Sequence, residues 1–269
     1  MTNSALLEKL VRFQQPEKVL PYARDLSART VAAIFGTDEG DYRRAREELD
    51  RQRNAAVQRL EPLLVPLLGA LPFQPGAHLA AIGESSTADR LSWFEILRSL
   101  LEAHRPDLQL RFTNFAVPGA TTTEALSALP AVQRQAPDWV FCKLGTNDSQ
   151  RLGGPAGTML VSQGETLRNL AEIRRLSLPD GKGTWVWVTP TLVDESRIAS
   201  FPHFAAAGIT WTNADLDDLT KRLPTGSDVV VNGSAVASEA APNAFGEDGI
   251  HPTITTHEVL CTQILQALT

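Results

Sequence analysis

Cysteine is scarce in this chain: Cys142 and Cys261 are the only two. No Cys-x-x-Cys pair and no His-x-x-x-His spacing occurs. A disulfide framework and a zinc centre are therefore not expected, and no metal or other cofactor is called for. Cys142 lies in an apolar strand-like run and Cys261 in the last helical pattern, so both thiols are expected in the core. Long apolar runs are missing too. None reaches the ~18 residues that a membrane helix needs, so no membrane span is expected. The opening "MTNSALLEKLVRF" has no continuous apolar core of the kind a signal peptide carries, and the expected location is cytoplasmic. Positive charge is not in excess: 25 Lys and Arg stand against 31 Asp and Glu, a net charge of −6. No basic run with interleaved aromatics occurs, so nucleic acid is not an expected partner. A mildly acidic surface mainly serves solubility.

What is present is enough apolar material for a sizeable core. Hydrophobic residues make up 43% of 269 residues, which suits one large domain or one domain with a substantial extension. Two regimes are visible. Tyr42, Ala45, Leu49, Ala56 and Leu60 recur at spacings near three, four and seven, with charges such as "RRAREELDRQR" on the other face, as an amphipathic helix requires. Ala28, Val31, Ala32 and Phe35 follow the same template up to Gly36, a plausible helix stop. Pro62, Pro66 and Pro72 then kink or end the helix. Residues 1–75 read as an N-terminal helical extension without a strand.

From Ala77 onward, short apolar runs alternate with helical patterns. "HLAAIG", "LQLRF", "DWVFCKLG", "TWVWVTP" and "DVVV" read as strands. They are followed by helical patterns over 89–104, 122–134, 164–176, 213–223 and 255–268. This alternation predicts a parallel sheet with helices on both faces. Ligands of such folds bind beyond the carboxyl ends of the strands, so the residues after each strand are the ones to inspect.

"GESST", residues 83–87, follows the first strand. Ser85 sits where backbone N–H groups gather at a helix start and favour an anion; Ser85 or Ser86 could equally be a cap. "NFAVPGATTTE" follows the second strand, and Gly119 there lets a backbone N–H approach a ligand closely. Thr121 and Glu124 have the spacing of a capping box. "GTNDS" follows the third, with Asn147 offering amide donors and Asp148 suited to bracing a turn. "FGEDGIHPT", residues 245–253, comes after the fifth strand and a loop. Each motif is weak alone. In this order they supply what acyl transfer requires. Ser85 is a nucleophile that needs a base, His251 is that base, and Asp248 can fix its tautomer across Gly249. The backbone N–H groups of Ser85 and Gly119 and the side-chain amide of Asn147 can meet the oxyanion.

In these four blocks the sequence resembles the SGNH hydrolases, the GDSL esterases and lipases. Ser85, Gly119, Asn147 and His251 match the residues that give the family its name, and Asp248 matches its third triad member. The resemblance covers about residues 77–269, giving a division into residues 1–75 and a hydrolase domain over 76–269. It implies a flavodoxin-like three-layer α/β/α sandwich with a five-stranded parallel sheet, preceded by the helical extension. It also implies metal-free ester hydrolysis through an acyl-enzyme. One departure stands out: Glu84 occupies the position where the family has Asp, an acid thought of as supporting the local turn.

The expected partner is a small-molecule ester, with a short acyl group such as acetyl. Two alternatives are an acyltransferase using the same triad and an inactive binding module. His203, Asp194 and Glu195 follow the fourth strand and are candidate substrate contacts at the mouth of the site. His78, His104 and His257 read as structural, and Trp185 and Trp187, alternating in a strand, as core. The extension is expected to pack across the sheet edge, cap the site, or join two copies as a homo-oligomer, because its apolar stripes need a partner.

Overall fold

Each of the five apolar runs becomes a strand of one sheet: β1 (His78–Gly83), β2 (Arg111–Asn114), β3 (Trp139–Lys143), β4 (Thr184–Val188) and β5 (Val229–Val231). In the computed structural model, residues 3–19 and 25–269 are described. The strands pair in parallel in the order β2-β1-β3-β4-β5. This is the flavodoxin-like order, and its switch point lies between β1 and β3. Register is set early, with Leu79 opposite both Phe112 and Trp139.

The strands carry apolar side chains on both faces, and each face has its own core. Leu79, Ala81, Phe141, Val186, Val188 and Val231 point to one side. There they meet α5 (Trp93–His104) and α9 (Ile254–Leu268). Ile82, Val140, Cys142, Trp185 and Trp187 point to the other. There they meet α6 (Thr122–Gln135) and α7 (Gln163–Ser177), with Leu219 of α8 (Asn213–Arg222). The period-two split is what a sheet buried on both faces requires. Cys142 and Cys261 sit in different cores, buried and unpaired.

The N-terminal helices are not a separate body. α3 (Glu39–Leu64) puts Ala56, Val57, Leu60 and Leu64 into the same core as α5 and α9. Pro62 falls inside α3, and Pro66 in a short 3-10 turn after it. α1 (Asn3–Phe13) and α2 (Ala28–Ile34) pack on the outer part of α3 through Val11, Val31, Ala32, Tyr42 and Leu49. That satellite cluster also takes in Leu91 and Ile254, which follow the first and last sequence motifs.

Two boundaries differ from the periodicity. The helix expected over 89–104 begins only at Trp93, with Ser92 capping Glu95 N, and a separate short helix, α4 (Ser85–Ala88), precedes it. The cause is Asp89, whose carboxylate takes the N–H of Leu91 at 2.8 Å and stops the helix. In "LQLRF" the first residue ends a 3-10 turn and Gln109 is left-handed, so β2 begins only at Arg111. Short two-residue strands, Arg151–Leu152, Thr158–Met159 and Ile209–Thr210, form a small antiparallel sheet beyond β3. Their shortness left no readable period. No helix among the described residues is long and apolar enough to cross a membrane.

Candidate active site

The carboxyl ends of β1, β2 and β3 meet the loop before α9 at one cavity of about 470 Å³. Ser85, Gly119, Asn147, Asp248 and His251 all line it. Ser85 opens α4 directly after β1. Its N–H and that of Gly119 have no hydrogen-bond acceptor among the described residues, which leaves both able to meet an anion. Gly119 adopts φ +80°, a conformation that glycine enters without strain. Asn147 donates its amide to Ala120 O at 3.0 Å, which ties the third block to the second.

The acid–base end is tightly built. Asp248 Oδ2 lies 2.9 Å from His251 Nδ1, and its Oδ1 accepts the N–H groups of His251 at 3.0 Å and Ile250 at 3.2 Å. Gly249 makes the turn at φ +74°. A Cβ there would sit 2.6 Å from Asp194 O and 2.8 Å from Arg197 Cβ, so only glycine fits. Burial works against ionisation of Asp248, yet the hydrogen bonds and charge of His251 hold its carboxyl well below the usual range. His251 Nδ1 thus has a fixed anionic partner, and Nε2 remains for a hydroxyl. Among the described residues Ser85 Oγ makes no hydrogen bond to His251. Such links are often long without substrate and tighten in the complex.

Glu84 is almost fully buried and does more than support its own turn. Its Oε2 accepts the backbone N–H of Asn147 at 3.2 Å, joining the Ser85 turn to the Asn147 block. Burial pushes Glu84 up and Lys143, buried beside it, down. Each partner's charge opposes the other's shift. Lys143 Nζ also donates to Ser86 Oγ at 3.2 Å, so Ser86 faces the interior rather than the cavity. Asp148 is buried and holds the start of α6. It accepts Thr122 N at 3.0 Å and the hydroxyls of Thr122 and Thr166. Thr121 and Glu124 form the expected capping box.

The expected mouth residues divide. His203 lines the cavity with Phe201, Phe204 and Trp211. Asp194 and Glu195 do not. Asp194 caps the short helix Glu195–Ser200, accepting Arg197 N at 3.0 Å. Glu195 takes Asn213 N at 2.6 Å. Free N–H groups at helix starts draw nearby carboxylates to themselves. Asp194 contributes through its backbone instead, donating to Gly249 O at 2.8 Å.

His78 bridges Gln135 O and Thr113, and His104 meets Glu61. Buried His257 meets Asp89 at 3.2 Å. Trp185 and Trp187 are packed edge to face in the core.

What sequence periodicity missed is the contribution of α1. Leu6, Lys9, Leu10 and Phe13 form one wall of the cavity. The Phe13 ring lies 4.6 Å from that of His251, and Lys9 Nζ stands 3.4 Å from Asp248 Oδ2. The only available signal was an apolar stripe on a short helix, which names no target.

Comparison with known proteins bears on the family and the fold. The model of the GDSL-like lipase/acylhydrolase family matches residues 80–259. No curated protein matches the sequence. Among solved structures, an α/β hydrolase enzyme from the metagenome of Lake Arreo aligns with a TM-score of 0.57 at 20% identity. It covers 73% of this chain and 96% of its own. A catalytic mutant of an acetylxylan esterase from Geobacillus stearothermophilus aligns at 0.54 and 19%, covering 72% and 95%. These likenesses establish the shared fold. With the family model spanning well over half of its length, the chain belongs to the GDSL-like lipase/acylhydrolase family, a family of carboxylic ester hydrolases.

Proposed function

We propose that the protein is a serine esterase whose triad is Ser85, His251 and Asp248. The observation that carries this reading is the paired Asp248 and His251 lining the same cavity as Ser85 and two unoccupied backbone N–H donors. Ser85 Oγ attacks the ester carbonyl as His251 Nε2 takes its proton. Negative charge forms on the carbonyl oxygen, where the N–H groups of Ser85 and Gly119 and the Asn147 amide are the donors. His251 then gives the proton to the leaving alcohol. A water molecule, deprotonated by His251, attacks the acyl-enzyme; the acid leaves and Ser85 regains its proton. Asp248 stays ionised throughout and steadies the imidazolium.

The acyl group is short, acetyl or a close homologue. Phe201, Phe204, Trp211, Leu6, Leu10 and Phe13 give the cavity an apolar lining that suits the alcohol part of the ester. Rates on p-nitrophenyl esters of increasing acyl length test this. Activity should be greatest on acetate and fall with chain length. Equal or better hydrolysis of long-chain emulsions would contradict the acyl assignment while leaving the triad intact.

A further inference from the structure

α1 lies outside the part of the chain that the family model matches, yet it touches both halves of the candidate site. On the nucleophile side, Arg12 Nε reaches both carboxylate oxygens of Asp89, at 2.9 and 3.0 Å, and its terminal nitrogen reaches Oδ2 at 2.6 Å. Asp89 is the residue that closes α4, four positions after Ser85, and its N–H donates to Ser85 O at 2.8 Å. Arg90 returns the contact, donating Nε to Val11 O at 2.9 Å, and Gln15 donates its amide to Ala88 O. On the base side, the same terminal nitrogen of Arg12 donates to Pro252 O at 3.0 Å. Pro252 directly follows His251, whose ring rests on Phe13. One guanidinium therefore joins the turn that carries Ser85 to the loop that carries His251.

We propose that Arg12 is a positioning residue for the triad, holding the Ser85 turn and the His251 loop at the spacing that proton transfer needs. This rests on the serine-esterase reading above. A planar, forked donor suits the task, because it can grip a carboxylate with two bonds and still offer an N–H to a third acceptor. Lysine cannot do both. The clamp is also stiff: Asp89 has no solvent exposure, and a buried carboxylate left without its cation is strongly unfavourable, so the pair stays closed. Asp89 also meets His257 of α9, which ties the clamp to the helix that begins three residues after His251.

The test uses the full chain, with Arg12→Ala and Arg12→Lys checked for folding by circular dichroism and assayed on p-nitrophenyl acetate. In folded Arg12→Ala, kcat should fall about 100-fold, the effect of an ångström-scale misplacement, while KM changes little. Millimolar methylguanidinium should restore part of that loss in Arg12→Ala and none in wild type. Arg12→Lys should lie between, because it keeps the charge at Asp89 but loses the bond to Pro252. A folded Arg12→Ala with wild-type kcat, lowered melting temperature and no response to methylguanidinium would reduce Arg12 to scaffold and overturn the proposal. If Arg12→Ala does not fold, a folded Arg12→Lys with wild-type kcat overturns it equally. Ser85→Ala separates the two claims. Should that variant keep its activity, the triad reading itself fails, whatever Arg12 does.

Discussion

Ser85 lies more than 160 positions before Asp248 and His251 in sequence, and the three share one cavity in the fold. In the proposed mechanism the triad members act as a unit, so Ser85→Ala and His251→Ala should each lower kcat by about 10⁴-fold or more. A double variant should be hardly worse than either alone. Steady-state kinetics on p-nitrophenyl acetate reads this directly, and additive losses would mean that the two residues act separately. Asn147→Ala removes one proposed donor to the oxyanion and should cost roughly 10²- to 10³-fold in kcat. Glu84→Asp gives the chain the acid usual in the family, but pulls the carboxylate away from Asn147 N, now 3.2 Å distant. It should therefore slow turnover here, less than Asn147→Ala does. A Glu84→Asp variant faster than wild type would show that the longer acid is a handicap rather than a link.

At the scale of elements, the turns matter more than the helices they join. The loop around His251 is held by Asp194 N to Gly249 O at 2.8 Å and Gly246 N to His251 O at 2.9 Å. Arg197 also donates to Phe245 O at 2.6 Å. Gly249→Ala forces a Cβ into Asp194 O at a positive φ. It should cost on the order of 1–3 kcal/mol in stability, read as a lowered denaturation midpoint, and should also reduce kcat by moving His251. The main strands and helices were legible in the sequence because both-face burial leaves unbroken apolar runs such as "WVFC", and helix faces repeat at three and four. The motifs were legible because they follow strands whose ends must converge. α1 as a wall of the site was legible only as one of three open roles for the extension. Its position follows from Arg12 reaching Asp89 and Pro252, contacts across 77 and 240 positions that no local period encodes. Asp194 and Glu195 lie at the expected edge, where a helix start takes one carboxylate and Asn213 N the other, partnerships that no local period encodes.

At the scale of the molecule, the N-terminal helices and the sheet share a core. Leu64 of α3 has no solvent exposure and sits with Leu97, Leu100 and Leu260. Leu64→Ala should cost about 2–5 kcal/mol, although the residue lies outside the family match. Removal of residues 1–75 should leave an insoluble or unstable domain, and a truncated chain as stable as the parent would contradict the shared core. Acid sensitivity follows from the same clamp. Burial opposes ionisation of Asp89, but Arg12 beside it holds its carboxyl well below the usual range. The folded state therefore binds that proton more weakly than the unfolded chain. The stabilisation is complete above the ordinary Asp value of about 4 and is lost as pH falls towards the folded one. Buried His257 adds to this, because burial lowers its proton affinity. Only the unfolded chain then gains a proton as pH drops through about 6.5. Denaturant unfolding at pH 7, 5, 4 and 3 should show stability falling steadily, the His257 part first and the Asp89 part below about pH 4, where the fall should be shallower in Asp89→Asn.

Covalent labelling tests the central claim most directly. The full chain is treated with a fluorophosphonate probe, the adduct is located by peptide mass spectrometry, and His251→Ala serves as the control. The account predicts a single adduct on Ser85 that disappears in the control. A folded protein that takes no label, or takes it on Ser86 or elsewhere, would contradict an activated Ser85.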